Sequence, residues 1–368
     1  MRSVKIAAYQ VALVEWFPEQ DGLSQVICRE LAELDYHPVY FNHDEAIPPD
    51  TDIVFTYGPY GKLLPILHKL DCLPPQKRPL AVHWNMEGLP DLRLPWFIMR
   101  SLGSIRSWID RLSDTNHNKF RTLVTKLTAH WENYILRFRY LGDYHYAYRH
   151  GLLTVLADSS AIYAQLHSQH GLPTVVAPWG ATPLWYDDLS LERDIDVLWL
   201  GQRGSKRRGN LLDRVRQELA PHGVNIHVAD NEENPFIYGR ERTQYLNRAK
   251  ITLNLTRTWY DDNYSRFAMA APNRSLIVSE PLLPHCLQYV AGVHYVSAPI
   301  DQLASQILHY LQHDAERLII VENAYQLATS TITFAHSVKT IMTAVEQARQ
   351  KVATHAYSFP ESGFTLPS

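Results

Sequence analysis

Short, almost continuous apolar runs alternate with helical stretches along nearly the whole chain, and this alternation constrains the fold more than any other feature. Apolar runs of this kind are typical of parallel strands that helices cover on both faces. The expected strands of the first half are Val4–Ala8, Pro38–Phe41, Asp52–Tyr57, Pro79–Val82, Leu152–Ala157 and Thr174–Ala177. The series starts again with Ile195–Leu200, Val224–Ala229, Ile251–Leu255, Leu276–Ser279 and Val293–Ser297. Two such series predict an α/β protein with two Rossmann-like domains, each built on a parallel sheet.

The boundary between the two series is polar. The segment Ala177-Pro178-Trp179-Gly180 closes the first series, and a connector from Thr182 to Arg193 separates it from the second. We therefore expect an N-terminal domain over residues 1–180, a C-terminal domain over residues 194–330 and a final helix over residues 331–352. A chain of 368 residues is long enough for two domains that each bury a core of their own.

Composition and charge exclude several classes of protein. The chain has 35 Lys and Arg against 38 Asp and Glu, a formal net charge of −3, so the overall charge gives no reason to expect a nucleic-acid partner. No apolar run approaches the roughly 18–20 residues of a membrane-spanning helix, and the first residues lack the pattern of a secretory signal. Cys28, Cys72 and Cys286 are odd in number and far apart, which predicts neither a disulfide framework nor a zinc ribbon. We expect a cytoplasmic protein.

One segment of the N-terminal domain, at about residues 93–150, is unusually basic and aromatic. It holds ten basic residues against four acidic ones. An apolar stripe at helical spacing runs along its first part and consists of Ile98, Leu102, Ile105, Ile109 and Leu112. Such a helix either packs on the first domain or lies in a membrane interface as a peripheral contact, and the positive charge also suits a polyanionic acceptor.

The turn after Ile195–Leu200 is rich in glycine and positive charge. It reads Gly201-Gln202-Arg203-Gly204-Ser205-Lys206-Arg207-Arg208 and leads into a helix. Ligands of open α/β sheets bind outside the carboxyl ends of the strands, where this turn lies. Glycines allow the backbone to approach a ligand, a helix N-terminus presents free N–H groups, and the cations can neutralise a diphosphate without a metal ion. A solvated basic turn is the alternative interpretation.

Two further strand ends carry polar residues. The strand Ile251–Leu255 is followed by Arg257, Asp261-Asp262-Asn263, Tyr264 and Arg266. The strand Leu276–Ser279 is followed by Glu280, whose carboxylate can accept both hydroxyls of a ribose or can cap the next turn. Paired acids beside an asparagine can hold a divalent ion, but an acidic loop beside a ligand site explains them as well.

The order of these motifs resembles the donor-binding half of GT-B glycosyltransferases, in the group 1 and CgeB-like branch. From Asn247 to Ser297 a strand is followed by Arg266-Phe267, a helix, Ala271-Pro272-Asn273-Arg274, Val278-Ser279-Glu280 and Gly292-Val293. The segment Asp194–Arg208 resembles the first strand and phosphate loop of the same domain, and Val155–Gly180 resembles the last βαβ unit of the N-terminal domain. Together these segments cover roughly a quarter of the chain.

The resemblance implies a transferase that takes a sugar from a nucleotide-diphosphate sugar in a cleft between the two domains. The residues that it assigns to the donor are Gly201, Arg203, Lys206 and Arg207 on the diphosphate, Arg257 and Arg266 beside the leaving group, Glu280 on the ribose and Tyr264 stacked on or hydrogen-bonded to the donor. The resemblance implies that the reaction needs neither a metal ion nor a further cofactor. It also implies that a final helix packs back on the N-terminal domain.

One departure from the family pattern is a missing acid. Many retaining members carry a glutamate on the helix before an A-G-x-P turn, whereas the matching stretch here, Arg266–Pro272, has no acid. The role of that glutamate is therefore not transferred to any residue of this chain. Retention and inversion of the sugar configuration both stay open.

The general base is expected in the N-terminal domain, on the acceptor side. Glu87 is the first choice because Gly88 follows it and the loop comes after the strand Pro79–Val82. His83 and Asp21 are the other candidates, although His83 also fits a histidine satisfied within the sheet and Asp21 fits a helix N-cap.

The acceptor stays unspecified by the sequence and belongs to one of four classes: lipid, glycan, protein or small molecule. Two rival functions use the same fold. A degenerate protein would bind the nucleotide sugar without turnover, and a nucleotide-sugar epimerase would interconvert free donors. Bound nucleotide without transfer would favour the first, and interconversion of free nucleotide sugars would favour the second.

Overall fold

The computed structural model of the protein describes residues 4–10, 22–42, 44–58, 63–88, 90–115, 132–259, 261, 264–283 and 288–356. Asp21, the middle of the basic segment and the tail after residue 356 lie outside these ranges. Within the ranges, none of the helices combines the length and the apolar character that crossing a membrane requires.

The N-terminal domain is built on a parallel sheet with the strand order β2-β1-β3-β4-β5-β6. Its strands are β1 (Lys5–Gln10), β2 (His37–Tyr40), β3 (Ile53–Gly58), β4 (Leu80–Asn85), β5 (Val155–Asp158) and β6 (Thr174–Val176). β4 is longer than predicted because it pairs on both sides up to Asn85, which is in register with Gly58 and Asp158. The prediction that this strand ends at Val82 is wrong, and His83 lies inside the sheet.

Helices cover both faces of this sheet. They are α1 (Leu23–Ala32), α2 (Leu64–Asp71), α3 (Trp96–Thr115), α4 (Glu132–Arg149) and α5 (Ala161–Gln169). The large side chains Phe55, Tyr57 and Trp84 are fully buried in the core on one side of the sheet. Tyr140 and Tyr144 of α4 belong to the core on the other side, so α4 is an integral layer of this domain.

The C-terminal domain is built on a second parallel sheet, with the order β11-β10-β9-β7-β8. Its strands are β7 (Ile195–Leu200), β8 (Ile226–Ala229), β9 (Ala249–Asn254), β10 (Leu276–Ser279) and β11 (Val296–Ser297). Its helices are α6 (Lys206–Leu219), α7 (Gly239–Arg248), α8 (Phe267–Ala270), α9 (Leu303–Gln312) and α10 (Asp314–Ser330). The predicted class, α/β with two parallel-sheet Rossmann-like domains, is confirmed.

The last helix, α11 (Phe334–Ala356), returns to the N-terminal domain. Phe334, Val338 and Ile341 are buried in the same core as Trp84. The chain makes this return at Gly180, where an added Cβ atom would lie 2.5 Å from the carbonyl carbon of Thr333. Glycine at this position therefore lets the connector and the start of α11 cross in contact.

The helices α3 and α4 pack closely because each carries a glycine at their crossing. A Cβ atom on Gly103 would lie 2.7 Å from the carbonyl oxygen of Phe138, and Gly142 faces Gly103 directly. The buried face of α3 thus runs through Met99, Gly103 and Ser107. The predicted stripe is only partly packed, because Leu102 and Ile105 are exposed together with Phe97 and Trp108.

Candidate donor and catalytic site

The switch in strand order marks the crevice of the C-terminal sheet. β7 lies between β9 and β8. The chain continues from β7 to β8 on one side and from β9 to β10 on the other, so the connections after β7 and β9 run in opposite directions. Ligands of doubly wound sheets bind outside the carboxyl ends at such a point. Residues 201–205 follow β7, and the described residues 255–259, 261 and 264–266 follow β9. Both segments therefore border this crevice.

The turn after β7 depends on its two glycines. Gly201 and Gly204 have φ angles of +97° and +68°, and residues with a Cβ atom rarely adopt this backbone conformation. Ser205 then caps α6, since its Oγ accepts a hydrogen bond of 3.2 Å from the backbone N–H of Arg208.

Three guanidinium groups converge on the glycine turn. A Cβ atom on Gly204 would lie 2.6 Å from Nη2 of Arg208 and 3.5 Å from Nε of Arg257. A Cβ atom on Gly201 would lie 3.6 Å from Nη2 of Arg266. We call Arg208, Arg257 and Arg266 the arginine cluster. Its members come from the two elements that border the switch point.

Arg266 is held rigidly within the cluster. Its Nε donates to the carbonyl oxygen of Leu200 at 2.9 Å, and its Nη1 donates to Oδ1 of Asn254 at 3.0 Å. The guanidinium carbon also lies 4.3 Å from the centre of the Trp199 ring. Contacts with the ends of β7 and β9 and with a buried indole thus fix the orientation of the Arg266 guanidinium group.

Burial of like charges makes the arginine cluster electrostatically strained. Burial holds the pKa of Arg266 well below its usual range, and the positive charges of Arg208 and Arg257 lower it further. Burial also lowers the pKa of Arg208 to about 10. The negative charge of Asp261 opposes the shift of both groups. Such a pocket favours an anion, because an anion offsets the cost of the buried cations.

The structure brings Arg203 to acidic residues instead. Its guanidinium contacts Asp213 at 2.8 Å, Asp230 at 2.9 Å and Glu233, and the hydrogen bond to Asp230 raises its pKa. Lys206 lines a cavity of about 660 Å³ beside this acidic group. Of the cations in the turn, Arg208 therefore stands in the arginine cluster while Arg203 anchors the turn to the loop after β8.

Arg207 and Glu280, both predicted to hold the donor, pair with each other. Nη1 and Nη2 of Arg207 lie 3.1 and 2.5 Å from the two carboxylate oxygens of Glu280. The Oε1 atom also accepts a hydrogen bond of 2.6 Å from the backbone N–H of Thr256. Glu280 is thus fixed at the carboxyl end of β10, beside the loop that carries Arg257.

Tyr264 lies in the hydrophobic core rather than at the crevice. Its ring centre is 4.6 Å from that of Phe267 and 5.9 Å from that of Tyr289. The hydroxyl group donates to the carbonyl oxygen of Leu283 at 3.4 Å. This position does not support stacking of Tyr264 on a donor.

His83 is buried within β4. Its Nδ1 lies 2.9 Å from Oγ1 of Thr56, its ring packs against Tyr144 at 5.1 Å, and burial lowers its pKa to about 3. The expectation that His83 follows the strand and faces a cleft is wrong, because the strand continues to Asn85. The third candidate base, Asp21, lies outside the described residues.

Glu87 sits on a loop that buried polar residues hold in place. Oδ1 of Asn85 accepts from the backbone N–H of Glu87 at 3.1 Å, and Nδ2 of Asn85 donates to the Glu87 carbonyl oxygen at 2.8 Å. The hydroxyl group of Tyr144 and a carboxylate oxygen of Asp158 complete the hydrogen bonds of Asn85, at 2.8 and 2.7 Å. Glu87 itself is half-buried at the carboxyl end of β4.

Sequence reasoning did not find Asn85, Tyr144 or Asp158. Asp158 carried a signal, since it directly follows the predicted strand Leu152–Ala157. Metal ligands were also considered in the sequence. In the ranges that the structure covers, no group of three or more His, Cys, Asp or Glu side chains is arranged to hold a metal ion, and Asp262 and Asn263 lie outside those ranges.

Comparison with protein families and structures agrees with this geometry. Residues 207–343 match the family described as glycosyl transferase-like. This range covers α6 from its second residue and the strands β8 to β11. No curated protein matches the chain in sequence.

Solved structures with a similar fold include glycosyltransferases. The chain is similar to HepE of Anabaena in complex with UDP and glucose, at 10% identity over 95% of this chain and 100% of that one, with a TM-score of 0.54. It is similar to AviGT4, a glycosyltransferase involved in avilamycin A biosynthesis, at 13% identity over 95% and 98% of the two chains, with a TM-score of 0.54.

A third neighbour is sucrose-phosphate synthase from Thermosynechococcus elongatus, at 11% identity over 95% and 100% of the two chains, with a TM-score of 0.54. At such identities the likeness establishes the fold alone. The chain has the two-domain fold of GT-B glycosyltransferases, and residues 207–343 match a glycosyl transferase-like family.

Proposed function

We propose that this protein is a glycosyltransferase that moves a sugar from a nucleotide-diphosphate sugar to an acceptor without a metal ion. The observation that carries the proposal is the arginine cluster at the switch point of the C-terminal sheet. Three buried cations that repel one another are costly unless an anion occupies the space between them. A diphosphate would supply that anion, and the match of residues 207–343 to a glycosyl transferase-like family supports a nucleotide-diphosphate sugar as its source.

The donor is expected to bind along the ends of β7, β9 and β10. The arginine cluster would hold the diphosphate, and the glycines of the turn would let the backbone approach it. Glu280 lies one strand further on, where its second carboxylate oxygen can accept a ribose hydroxyl next to Arg207. Lys206 lines the separate cavity on the other side of the turn, beside Asp213 and Asp230, and is not assigned to the diphosphate. Arg203 supports this site through the turn that it anchors.

The chemistry requires a leaving group, a nucleophile and a base. The bond between the sugar C1 and the diphosphate oxygen breaks, and the diphosphate leaves with the electron pair. An acceptor oxygen forms the new bond to C1, and its proton passes to Glu87. The arginine cluster stabilises the charge that develops on the departing diphosphate, which is the largest contribution expected in a closed cleft.

We further propose a cytoplasmic enzyme that rests on a membrane surface through α3. The exposed face of this helix carries Phe97, Ile105 and Trp108, and the exposed cation Arg100 lies beside them. Aromatic and aliphatic side chains next to positive charge favour the interface of an anionic bilayer. The succession of motifs after β9 is our reason for placing the chain in the CgeB-like branch.

The test is a melting-temperature panel with UDP, GDP, ADP and TDP, each with and without Mg²⁺. Binding to the native state raises the melting temperature by mass action. We expect one nucleotide to raise it equally in both conditions. A Mg²⁺ requirement would remove the metal-independent mechanism, and no rise with any nucleotide would remove the donor site.

Product analysis then separates the transferase from its rivals. The corresponding nucleotide sugar is incubated with the enzyme and with lipid, glycan, protein and small-molecule acceptors. Release of nucleoside diphosphate with formation of a glycosylated product supports the proposal. Binding without release would indicate a degenerate protein, and conversion of the free donor into its epimer would indicate an epimerase.

A further inference from the structure

The two domains meet at the loop that carries Arg257 and Asp261. Arg137, on α4 of the N-terminal domain, places its Nη2 atom 3.4 Å from Oδ2 of Asp261. Both side chains are less than a tenth exposed, at 9% and 6%. A second cation of the basic segment, Arg93, lies 3.6 Å above the ring of Trp259. The basic segment thus contacts the donor-side loop at two points.

Arg137 also adjoins the loop of the candidate base. A Cβ atom on Gly88 would lie 3.2 Å from Nη1 of Arg137, so the guanidinium group rests against the residue that follows Glu87. One group therefore touches both sides of the site: the base loop through Nη1 and the donor loop through Nη2.

Asp261 is the carboxylate shared by these cations. Its negative charge acts on Arg208, Arg257 and Arg266 of the arginine cluster, and it forms the ion pair with Arg137. Asp261 thus contacts one guanidinium group directly and interacts through its charge with three more in the described part of the chain. A diphosphate has more acceptor oxygens and more negative charge than this carboxylate, and it suits four guanidinium groups better.

We infer that Arg137 is a further donor-binding residue, contributed to the diphosphate by the N-terminal domain, and that Asp261 holds it in the unliganded protein. The inference rests on the proposed function, because it assumes that the arginine cluster binds a diphosphate. When the diphosphate binds, Arg137 exchanges the carboxylate of Asp261 for a phosphate oxygen. Donor binding then requires both domains, and Asp261 competes with the donor.

The test compares Arg137→Gln, Asp261→Asn and the unsubstituted protein by calorimetric titration. The probes are UDP, GDP, ADP or TDP, whichever gives the largest melting shift, its parent nucleoside, and inorganic pyrophosphate. We expect Arg137→Gln to weaken binding of the diphosphate and of pyrophosphate about tenfold to hundredfold. We expect Asp261→Asn to strengthen both several-fold, because it removes a like charge. Nucleoside binding should stay unchanged in both variants.

Matched controls are Arg149→Gln, which removes an exposed cation at the end of the same helix, and Asp196→Asn, which breaks the ion pair with Lys250 in the C-terminal domain. Both controls should bind like the unsubstituted protein. The gain in Asp261→Asn is the sharper arm, because a misfolded variant does not gain affinity.

Each other outcome overturns the inference. Unchanged diphosphate affinity in Arg137→Gln would make Arg137 a structural partner of Asp261 only. Weaker binding by Asp261→Asn would show that this carboxylate supports the donor instead of competing with it. If the unsubstituted protein binds none of the nucleoside diphosphates, the proposed function itself fails and the inference falls with it.

Discussion

Replacing Arg208 by methionine tests two effects of its buried charge separately: the effect on the stability of the fold and the effect on diphosphate binding. Arg208 is 3% exposed, and its Nε donates to the carbonyl oxygen of Arg203 at 2.5 Å. Its Nη2 donates to the carbonyl oxygen of Gln202. Methionine is shorter, but it keeps an unbranched apolar stem and carries no charge. We expect it to lower the diphosphate affinity about tenfold to hundredfold and the free energy of unfolding by no more than about 3 kcal/mol.

The magnitude follows from the pKa. Burial lowers the pKa of Arg208 from the usual 12.5 to about 10. The folded protein thus holds this proton less tightly than the unfolded chain does, which costs on the order of 3 kcal/mol at neutral pH. Methionine removes this cost but also two hydrogen bonds from a charged donor, which contribute about 1.5–3 kcal/mol each. The two changes largely offset each other, so the free energy of unfolding should fall by no more than about 3 kcal/mol.

Ligand binding should respond more strongly. One charged hydrogen bond to a phosphate oxygen is lost without compensation, which lowers the affinity for a nucleoside diphosphate about tenfold to hundredfold. The assays are calorimetric titration with the nucleotide that raises the melting temperature, and urea unfolding followed by tryptophan fluorescence. Arg248→Met, which breaks the exposed ion pair with Asp194, is the control in the same domain. Unchanged diphosphate affinity in Arg208→Met would refute the role of the arginine cluster.

Three further predictions follow from other parts of the structure. Glu87→Gln should lower the rate of transfer about 10²- to 10⁴-fold at unchanged nucleoside diphosphate affinity. The control is Glu218→Gln, which removes a half-buried carboxylate paired with Arg214 on α6; an equal loss of affinity in Glu87→Gln would contradict a base role. The buried His83, with a pKa of about 3 against roughly 6.5 when unfolded, binds its proton more tightly in the unfolded chain. The free energy of unfolding should therefore fall as the pH drops below about 6.5, and this group should contribute about 2 kcal/mol of that fall at pH 5. In His83→Gln the urea midpoint should depend less steeply on pH between pH 7 and pH 5. An unchanged slope would contradict the assignment of this pH dependence to His83. Trp108→Ser on α3 should reduce cosedimentation with anionic phosphatidylserine vesicles more than Leu318→Ser on α10, another exposed apolar residue, and equal binding would remove α3 as the contact.

The strands could be predicted well where local signals mark both ends. Ile195–Leu200 and Leu276–Ser279 agree residue for residue with β7 and β10, because a polar residue precedes each apolar run and a glycine or an acid follows it. The end of β4 was missed for a reason that lies outside the local sequence. His83, Trp84 and Asn85 stay in the strand because β3 and β5 pair with them from both sides.

The donor crevice could be located from the sequence because carboxyl ends of parallel strands lie at one edge of a sheet. The direction of each side chain could not. Arg203 and Arg208 stand in the same turn, yet one points to Asp230 and the other into the arginine cluster. The contact between Arg137 and Asp261 could not be predicted, because the two residues are 124 positions apart and belong to different domains.

The arginine cluster can be tested most directly by a crystal structure of the protein with the nucleoside diphosphate that raises its melting temperature. We predict that phosphate oxygens lie within hydrogen-bonding distance of Arg208, Arg257 and Arg266, with the ribose beside Glu280. A diphosphate bound elsewhere, for example in the cavity beside Lys206 without contact to the cluster, would contradict the account.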